Sequence, residues 1–400
     1  MTTIVQNVDL APTHQGFETC AAQSFDVSLY SGNWFAAFSV DGASSFSALS
    51  PYDFMKLEGE AFCCDQRVEF VPNLGSFVWV MLSMEGPLIL AIATPDEIRS
   101  SNGTSWTYYH ITPAHFRYER STFDYPQISY GDGYLYLTVD APEEGGAVIV
   151  RMPLGQLAER VTVNAQYVKT PMSFVCPCHR TQNVGWFAAI DTDKSQIRAF
   201  SWNELPSSPV QSFTVNIASV PVLDFSSLTP DKEDWLPPTS KISANITGAA
   251  RTGHEMVLAW SAGRKYADDS PSVITQPHIE LAYIDMFNKS LIRQGYIWNH
   301  AFAFAWPSLA ANGDDRPVIG ISLCWGGPDH YPQHAVGTLD PRHLITTTSG
   351  KSAGAGGHYN DVRMGFPDYH SFVAAGFNAV KDNSTPPKVM DHPHFVVFRP

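Results

Sequence analysis

The apolar positions of this chain fall in short runs, and the runs come in pairs. Tyr125-Pro126-Gln127-Ile128 leads through a short polar turn into Tyr134-Leu135-Tyr136-Leu137-Thr138-Val139. Trp306-Pro307-Ser308-Leu309 leads through Asn312-Gly313-Asp314-Asp315 into Val318-Ile319-Gly320-Ile321-Ser322-Leu323. Each time an aromatic–Pro step opens a strand, a Gly/Asp turn follows and a second apolar strand returns. The pattern predicts one β-hairpin written twice. Looser copies surround these two. Cys64-Asp65-Gln66-Arg67-Val68 precedes Phe77-Val78-Trp79-Val80-Met81-Leu82, and Cys176-Pro177 precedes Gly185-Trp186-Phe187-Ala188-Ala189-Ile190. Ala250-Arg251 precedes Met256-Val257-Leu258-Ala259-Trp260, and His358-Tyr359-Asn360-Asp361-Val362 precedes Phe372-Val373-Ala374-Ala375. The first copy reads as Phe25-Asp26-Val27-Ser28 before Trp34-Phe35-Ala36-Ala37-Phe38.

Hairpins repeating at roughly 40–75 residues are the signature of radial repetition, one blade per unit. The fold class expected is all-β: a β-propeller spanning 1–400, with seven blades preferred and six possible. Helix signals are sparse, with short turns expected at 51–56 and 153–160, each opening on a proline suited to a first helical position. Residues 206–243 are rich in Ser, Pro and Thr. They read as an outer strand with a large loop, or as an irregular insertion over one face. Two further irregular stretches, 264–277 and 325–334, are the kind of loop on a rigid scaffold that carries function.

Ser39-Val40-Asp41-Gly42-Ala43-Ser44-Ser45-Phe46 resembles the Asp-box turn of sialidase-like propellers, Ser-x-Asp-x-Gly-x-x-Trp, with Gly42 one place early and Phe46 in place of Trp. Gly103-Thr104-Ser105-Trp106 matches its second half. The resemblance implies the sialidase-like propeller fold. The turn itself is structural, its Asp and Ser side chains binding backbone while the aromatic packs between blades, so it implies nothing about activity.

Composition narrows the partners. The chain carries 25 basic against 39 acidic residues, a net charge of −14, with 44% hydrophobic residues. No Lys/Arg cluster is present to track a phosphate backbone, so neither nucleic acid nor an anionic membrane is an expected partner. No apolar run approaches the ~20 residues that span a bilayer. The first residues, 1–12, are polar and lack signal-peptide character. A secreted protein whose leader has been removed is slightly favoured over a cytoplasmic one. Four Asn-X-Ser/Thr sequons, at Asn102, Asn245, Asn288 and Asn383, bear on that context. The six cysteines, among them Cys63-Cys64 and Cys176-Pro177-Cys178, have no ordinary zinc spacing and read as small packing residues. No metal or other cofactor is expected, and the protein is expected to be a monomer.

In a propeller the first strand of each blade lines the axis, so the residues leading into those strands are the candidate chemistry. By the hairpin alignment they are Asp26, Asp65 with Gln66, Tyr125 with Gln127, Cys176 with His179, Arg251 with His254, Trp306 with Ser308, and His358 with Tyr359, Asn360 and Asp361. Sialidase chemistry needs three arginines around a carboxylate, and only Arg251 and nearby Arg264 are on offer. A glycosidase needs two carboxyls roughly 5–10 Å apart, for which Asp65 and Asp361 are the pair. A uronate lyase draws on His179, His358, Tyr359, Tyr125, Arg251 and Arg264, yet polyanionic substrates are repelled by the net charge.

The aromatic character of the remainder favours a small-molecule pocket with few polar groups. The leading expectation is acid–base assisted elimination or cyclisation of a small, largely apolar molecule. In broad type this is similar to fungal biosynthetic propellers that catalyse hetero-Diels–Alder steps. His358 or Tyr359 would move the proton, Arg251 would stabilise negative oxygen, and Asp65 would orient them. Trp306 would stack on substrate, with Tyr125, His179, Arg264 and Trp325 lining the site. A carbohydrate-active lyase or hydrolase and a lectin-like binding module are the alternatives, so the expected ligand is a small molecule or a glycan.

Overall fold

The computed structural model describes all residues except 11–17, 56–61, 85–86, 120–121, 180, 223, 237–243, 266–272, 355–358 and 382–388. Its strands form seven four-stranded antiparallel sheets. These are the seven blades of a β-propeller. The innermost strands, in chain order, are Cys20–Ser24, Arg67–Val71, Asp124–Tyr130, Cys176–Pro177, Ile246–Thr252, Ala303–Ala311 and Asp361–Met364. Each blade then steps outward through consecutive strands, except that the outermost strand of blade 7 is the N-terminal Thr3–Asp9. It pairs with the C-terminal strand Val389–Arg399 from Thr3↔Arg399 to Asp9↔His394. The two chain ends thus share one blade, and the ring closes without a free inner edge.

Strand alternation explains how the blades pack. In blade 2, Phe77, Trp79 and Met81 face blade 1, with Cys20, Leu29 and Phe38. Val78, Val80 and Leu82, the alternate positions of the same strand, face blade 3, with Ile128, Leu135 and Val150. Both faces of a blade are therefore apolar, which is why the sequence shows continuous apolar runs and not polar/apolar alternation. The hydrophobic core is a series of such layers between adjacent blades.

Tyr125-Pro126 and Trp306-Pro307 do occupy equivalent places. Tyr125 has φ +51° and Trp306 φ +56°. Both strands carry a register shift at this point, between Asp124 and Gln127 and between Ala305 and Ser308. The same left-handed step recurs at Glu18, Asp65, Phe174 and Ala244, with φ between 50° and 59°. In each case the residue two places on starts the ladder with the second strand: Cys20↔Ser31, Arg67↔Val80, Cys176↔Ala188 and Ile246↔Trp260. Tyr359 holds that place in blade 7, two before Asp361↔Ala375. Non-glycine residues are uncommon in this region of backbone space, so this is a built feature of the ring's mouth.

Two parts of the sequence reading need correcting. The hairpin alignment places blade 1 one strand late: Val27–Gly32 is its second strand, and Asp26 sits in the hairpin turn, paired with Arg99 at 2.6 Å. The helix Pro95–Ser101 is an addition, although Thr94 and Glu97 form a capping box at its start. Within 206–243, Val210–Asn216 is the outer strand of blade 4, and the described part of the following segment runs over the mouth face of blades 5 to 7. The Asp41 turn behaves as the Asp-box resemblance implies. Asp41 Oδ1 accepts from the Ser39 hydroxyl and from the Ser44 and Ser45 N–H groups, and Phe46 packs on Phe395 across the blade 1–blade 7 seam.

Candidate active site

The left-handed steps deliver Glu18, Asp65, Tyr125, Phe174, Ala244 and Trp306 to one ring at the mouth of the axis, and Tyr359 holds the corresponding place in blade 7. Blades 1 and 2 supply acids. Asn33 ties them together: its Nδ2 donates to Glu18 Oε2 at 2.6 Å, and its Oδ1 accepts the Asp65 N–H at 2.9 Å. Across the axis, the Tyr359 hydroxyl donates to Asp65 Oδ1 at 2.7 Å. Burial pushes the Asp65 carboxyl up to about 6, and the charge of Glu18 adds to it; the Tyr359 hydrogen bond and Arg67 oppose. Next to it, Asp124 Oδ1 accepts the Tyr125 N–H at 3.0 Å. Asp140 accepts the Phe174 N–H at 2.9 Å, and burial raises its carboxyl to about 7.

Aromatic rings complete the ring. Tyr125 meets Tyr359 edge-on at 5.7 Å between centroids and Phe174 at 5.3 Å. The Arg67 guanidinium lies 3.7 Å from the Tyr359 ring centroid, a cation–π contact, and its Nε donates to the Pro126 carbonyl at 3.1 Å. Burial holds the Tyr359 phenol well above its usual value, so it acts here as a hydrogen-bond donor.

One layer deeper lies a dense ionic cluster. Asp361 accepts from Arg363 at 2.5 Å, from the Cys20 thiol at 2.5 Å and from the Ser308 hydroxyl at 3.2 Å. Arg363 Nε lies 2.8 Å from Glu69 Oε2, without hydrogen-bond alignment, and burial lifts the Glu69 carboxyl to about 8. Arg363 Nη1 also donates to His179 Nε2 at 2.9 Å. Burial, with Arg363 and Arg67 adding, holds that imidazole well below its usual value, so it stays neutral and accepts. Cys20, Glu69, Ser308, Asp361 and Arg363 are buried and His179 half-buried, and together they form a pin joining blades 1, 2, 4, 6 and 7.

The expected site residues therefore divide. Asp65, Tyr359 and Tyr125 meet at the mouth. His179 lies one layer below them. Asp361 is held by Arg363 and Cys20, so it does not face Asp65 as a second open carboxyl. Arg251 lies near the far end of its strand, five residues past Ile246 or ~16 Å of chain at ~3.3 Å per residue. There its Nε donates to the Gly253 carbonyl at 2.8 Å, and it lines a hollow of about 200 Å³ with Gln182 and Asp315. Arg67 occupies the cationic place assigned to it. Trp306 is at the mouth but walled in by Trp235 at 5.4 Å and Phe377 at 6.3 Å, so it has no open face for a ligand. Arg264 Nη2 donates to the Ser226 carbonyl at 3.1 Å and fastens the segment that carries Trp235. Trp325 packs away from the axis on Phe302 at 4.8 Å and bonds the Thr346 hydroxyl at 3.1 Å. His358 lies outside the described residues.

Glu18, Asn33 and Arg67 are site residues that sequence reasoning does not single out. Glu18 and Asn33 flank the strands misaligned in blade 1. Arg67 stands two places after Asp65, where the left-handed step turns it toward Tyr359.

Two other features flank the mouth. Trp34 is 63% exposed, follows Asn33 directly, and donates its N–H to the Cys63 carbonyl at 3.2 Å. Cys63 and Cys64 are joined by a disulfide immediately before Asp65, whereas Cys20, Cys176, Cys178 and Cys324 are buried free thiols. A cavity of about 690 Å³ lies away from the axis, against the outer strands Thr107–Ile111 and Gln166–Thr170. Among the described residues no carboxyl lines it, in contrast to the mouth. Among the described residues, no group of three or more His, Cys, Asp or Glu side chains is placed to hold a metal ion, and no helix is long and apolar enough to cross a membrane.

No protein-family model and no curated protein matches the sequence. Solved structures are similar in fold. The Dos1 propeller superposes with a TM-score of 0.47 at 9% identity, over 100% of this chain and 95% of that one. A mutant α-L-arabinofuranosidase of Fusarium graminearum, in complex with an iminosugar inhibitor, gives 0.47 at 8% identity over 98% and 97%. The subtype N10 neuraminidase-like protein of a little yellow-shouldered bat influenza virus gives 0.41 at 8% over 81% and 96%. The neighbours thus include a glycoside hydrolase and a neuraminidase-like protein. At these identities the likeness is one of architecture.

Proposed function

We propose that the mouth of the axis is an active site for acid-assisted elimination or cyclisation of a small, largely apolar molecule. The observation that carries this is the Asp65 carboxyl, raised to about 6 and hydrogen-bonded to Tyr359 beside Arg67. A carboxyl poised near the working pH is an effective proton donor. In a dehydration, Asp65 gives its proton to the leaving hydroxyl. The C–O bond breaks with its electron pair going to water, a carboxylate such as Glu18 takes the proton from the neighbouring carbon, and the C–H pair forms the double bond. Arg67 stabilises negative charge on a nearby carbonyl oxygen, and Tyr125 and Phe174 supply an apolar wall. The step expels water with no net gain or loss of electrons, so the chemistry calls for no redox cofactor.

A carbohydrate-active role is the second reading, and Trp34 favours it. An exposed indole one residue from the Asn33 clamp of two carboxyls is a suitable platform for a sugar ring. In that case Glu18 and Asp65 form the acid pair in place of Asp65 and Asp361.

The test is a mass-spectrometric screen of hydroxylated small molecules and of glycosides, run with the wild type and Asp65→Asn. Loss of water or ring closure that falls by about 10²–10⁴-fold in the variant supports the first reading. Glycoside cleavage with the same dependence supports the second. Turnover of either kind that Asp65→Asn leaves unchanged places the chemistry elsewhere.

A further inference from the structure

Away from the axis, the mouth face carries a second polar recess, of about 540 Å³, between blades 6 and 7. Strand register builds it. Asn378 stands opposite His392, and Gly376 opposite His394, which in turn stands opposite Asp9 of the N-terminal strand. Alternation puts these side chains on one face of blade 7. Gly376 makes the close approach of blade 6 possible, because a side chain there would collide with the His334 ring. His334 then positions the opposite wall: its N–H donates to the Thr348 hydroxyl at 2.8 Å, and its carbonyl accepts the Thr347 N–H at 2.9 Å. The backbone N–H of Lys351 donates to the Ala379 carbonyl at 2.7 Å, bringing that residue to the rim.

One group in this recess lacks what it needs. Asn378 is only 6% exposed, and its Nδ2 donates to the Ser349 carbonyl at 3.0 Å. That bond fixes the amide, yet its Oδ1 has no donor among the described residues. Asn378 lines the recess, and a buried carbonyl oxygen without a donor is the mark of a place for a hydroxyl or amide donor. Around it are an acid, Asp9; two imidazoles, His392 and His394, the second held below its usual value by burial; and the amine of Lys351. The His392 ring lies 3.6 Å from the Asp9 carboxylate. The mixture of donors and acceptors does not suit an anion, which would meet Asp9 and leave Asn378 Oδ1 unmatched.

We propose that this recess binds a neutral polyhydroxylated ring, a pyranoside in size and chemistry, with one hydroxyl donating to Asn378 Oδ1 and others bridging His392 and Lys351. The inference does not depend on the axial acid. It is tested on the full chain by ligand-observed NMR titration with a panel of methyl pyranosides, using inorganic phosphate as the anion probe. At least one glycoside is expected to bind saturably, and Asn378→Leu and His392→Ala are each expected to weaken it about tenfold or more, the value of roughly one hydrogen bond to a matched partner. His392 is partly exposed, so its variant remains informative if the Asn378 variant fails to fold. Three results overturn the inference: no saturable glycoside, binding of phosphate in place of glycosides, or glycoside binding that Asp65→Asn abolishes and His392→Ala leaves intact.

Discussion

Replacing Asp65 by Asn separates what the mouth does for stability from what it does for chemistry. The carboxyl titrates at about 6 in the folded chain against 3.8 in the open one. At 1.36 kcal/mol per pKa unit, that interval is worth roughly 3 kcal/mol. Because the folded value is the higher one, the folded state binds the proton more tightly. The stabilisation is complete below about pH 4 and is lost as pH rises through about 6. Above that, the wild type holds an ionised carboxylate near Glu18 in a buried place. An amide keeps the shape, still accepts from the Tyr359 hydroxyl, and carries no charge. Asp65→Asn is therefore expected to be about 1–3 kcal/mol more stable than wild type at pH 8, with the advantage gone at pH 4.

Urea unfolding of both proteins across that pH range measures the difference directly, and titration of Asp140 and Glu69 largely cancels in the comparison. The same substitution removes the proposed proton donor, so turnover is expected to fall as stability rises, the usual sign of a strained functional group. A stability difference that does not change with pH, or one that favours the wild type at pH 8, refutes the assignment of Asp65 as a buried, raised carboxyl.

Tyr359→Phe and Glu18→Gln are expected to move the Asp65 titration in opposite directions. Losing the hydroxyl donor raises it and losing the neighbouring charge lowers it, a pair of shifts that carboxyl-detected NMR reads; parallel shifts would break the proposed circuit. Arg363→Met strands Asp361 and Glu69 without their cation and is expected to cost about 3–5 kcal/mol in urea unfolding, whereas a loss near zero would mean that the deeper layer is not a pin. Deleting residues 394–400 removes Phe395 from the layer against blade 1 and Phe398 from the layer against blade 6, and unpairs the N-terminal strand, so soluble folded protein is expected to vanish; an unchanged melting curve would contradict the closure of blade 7.

What is legible in the sequence is local, and what is not is the meeting of distant segments. The phrases at Tyr125 and Trp306 announce equivalent strands because proline and the following turn are short-range signals. Their opposite fates are hidden. Tyr125 keeps its place at the axis with Tyr359, whereas Trp306 is covered by Trp235, which arrives from a much earlier segment with no periodicity of its own. Arg251 is misplaced for a different reason. An apolar run shows where a strand lies but not which of its ends meets the mouth, and Arg251 stands at the other end. Blade 1 slips because Phe25-Asp26-Val27 has the composition of a strand opening, while the true first strand, Cys20–Ser24, is short and built from small residues.

The seven equivalent positions, six of them left-handed, also explain how a near-symmetric ring acquires a one-sided site. The backbone presents the same step in blades 1 to 6 and the equivalent place in blade 7, so chemistry depends on which side chain stands there. Blades 1 and 2 place Glu18 and Asp65; blades 3, 4 and 7 place Tyr125, Phe174 and Tyr359; blade 5 places the small Ala244, and blade 6 a tryptophan sealed by Trp235. An acidic side therefore faces an aromatic one, with Arg67 beneath both. The ionic layer around Arg363 sits directly below and joins five of the blades, so the distance between the two sides is set by buried, engaged groups and not by the loops above. A general acid needs that kind of support, because its proton transfer is sensitive to displacements of well under an ångström while the loops around the mouth are free to differ.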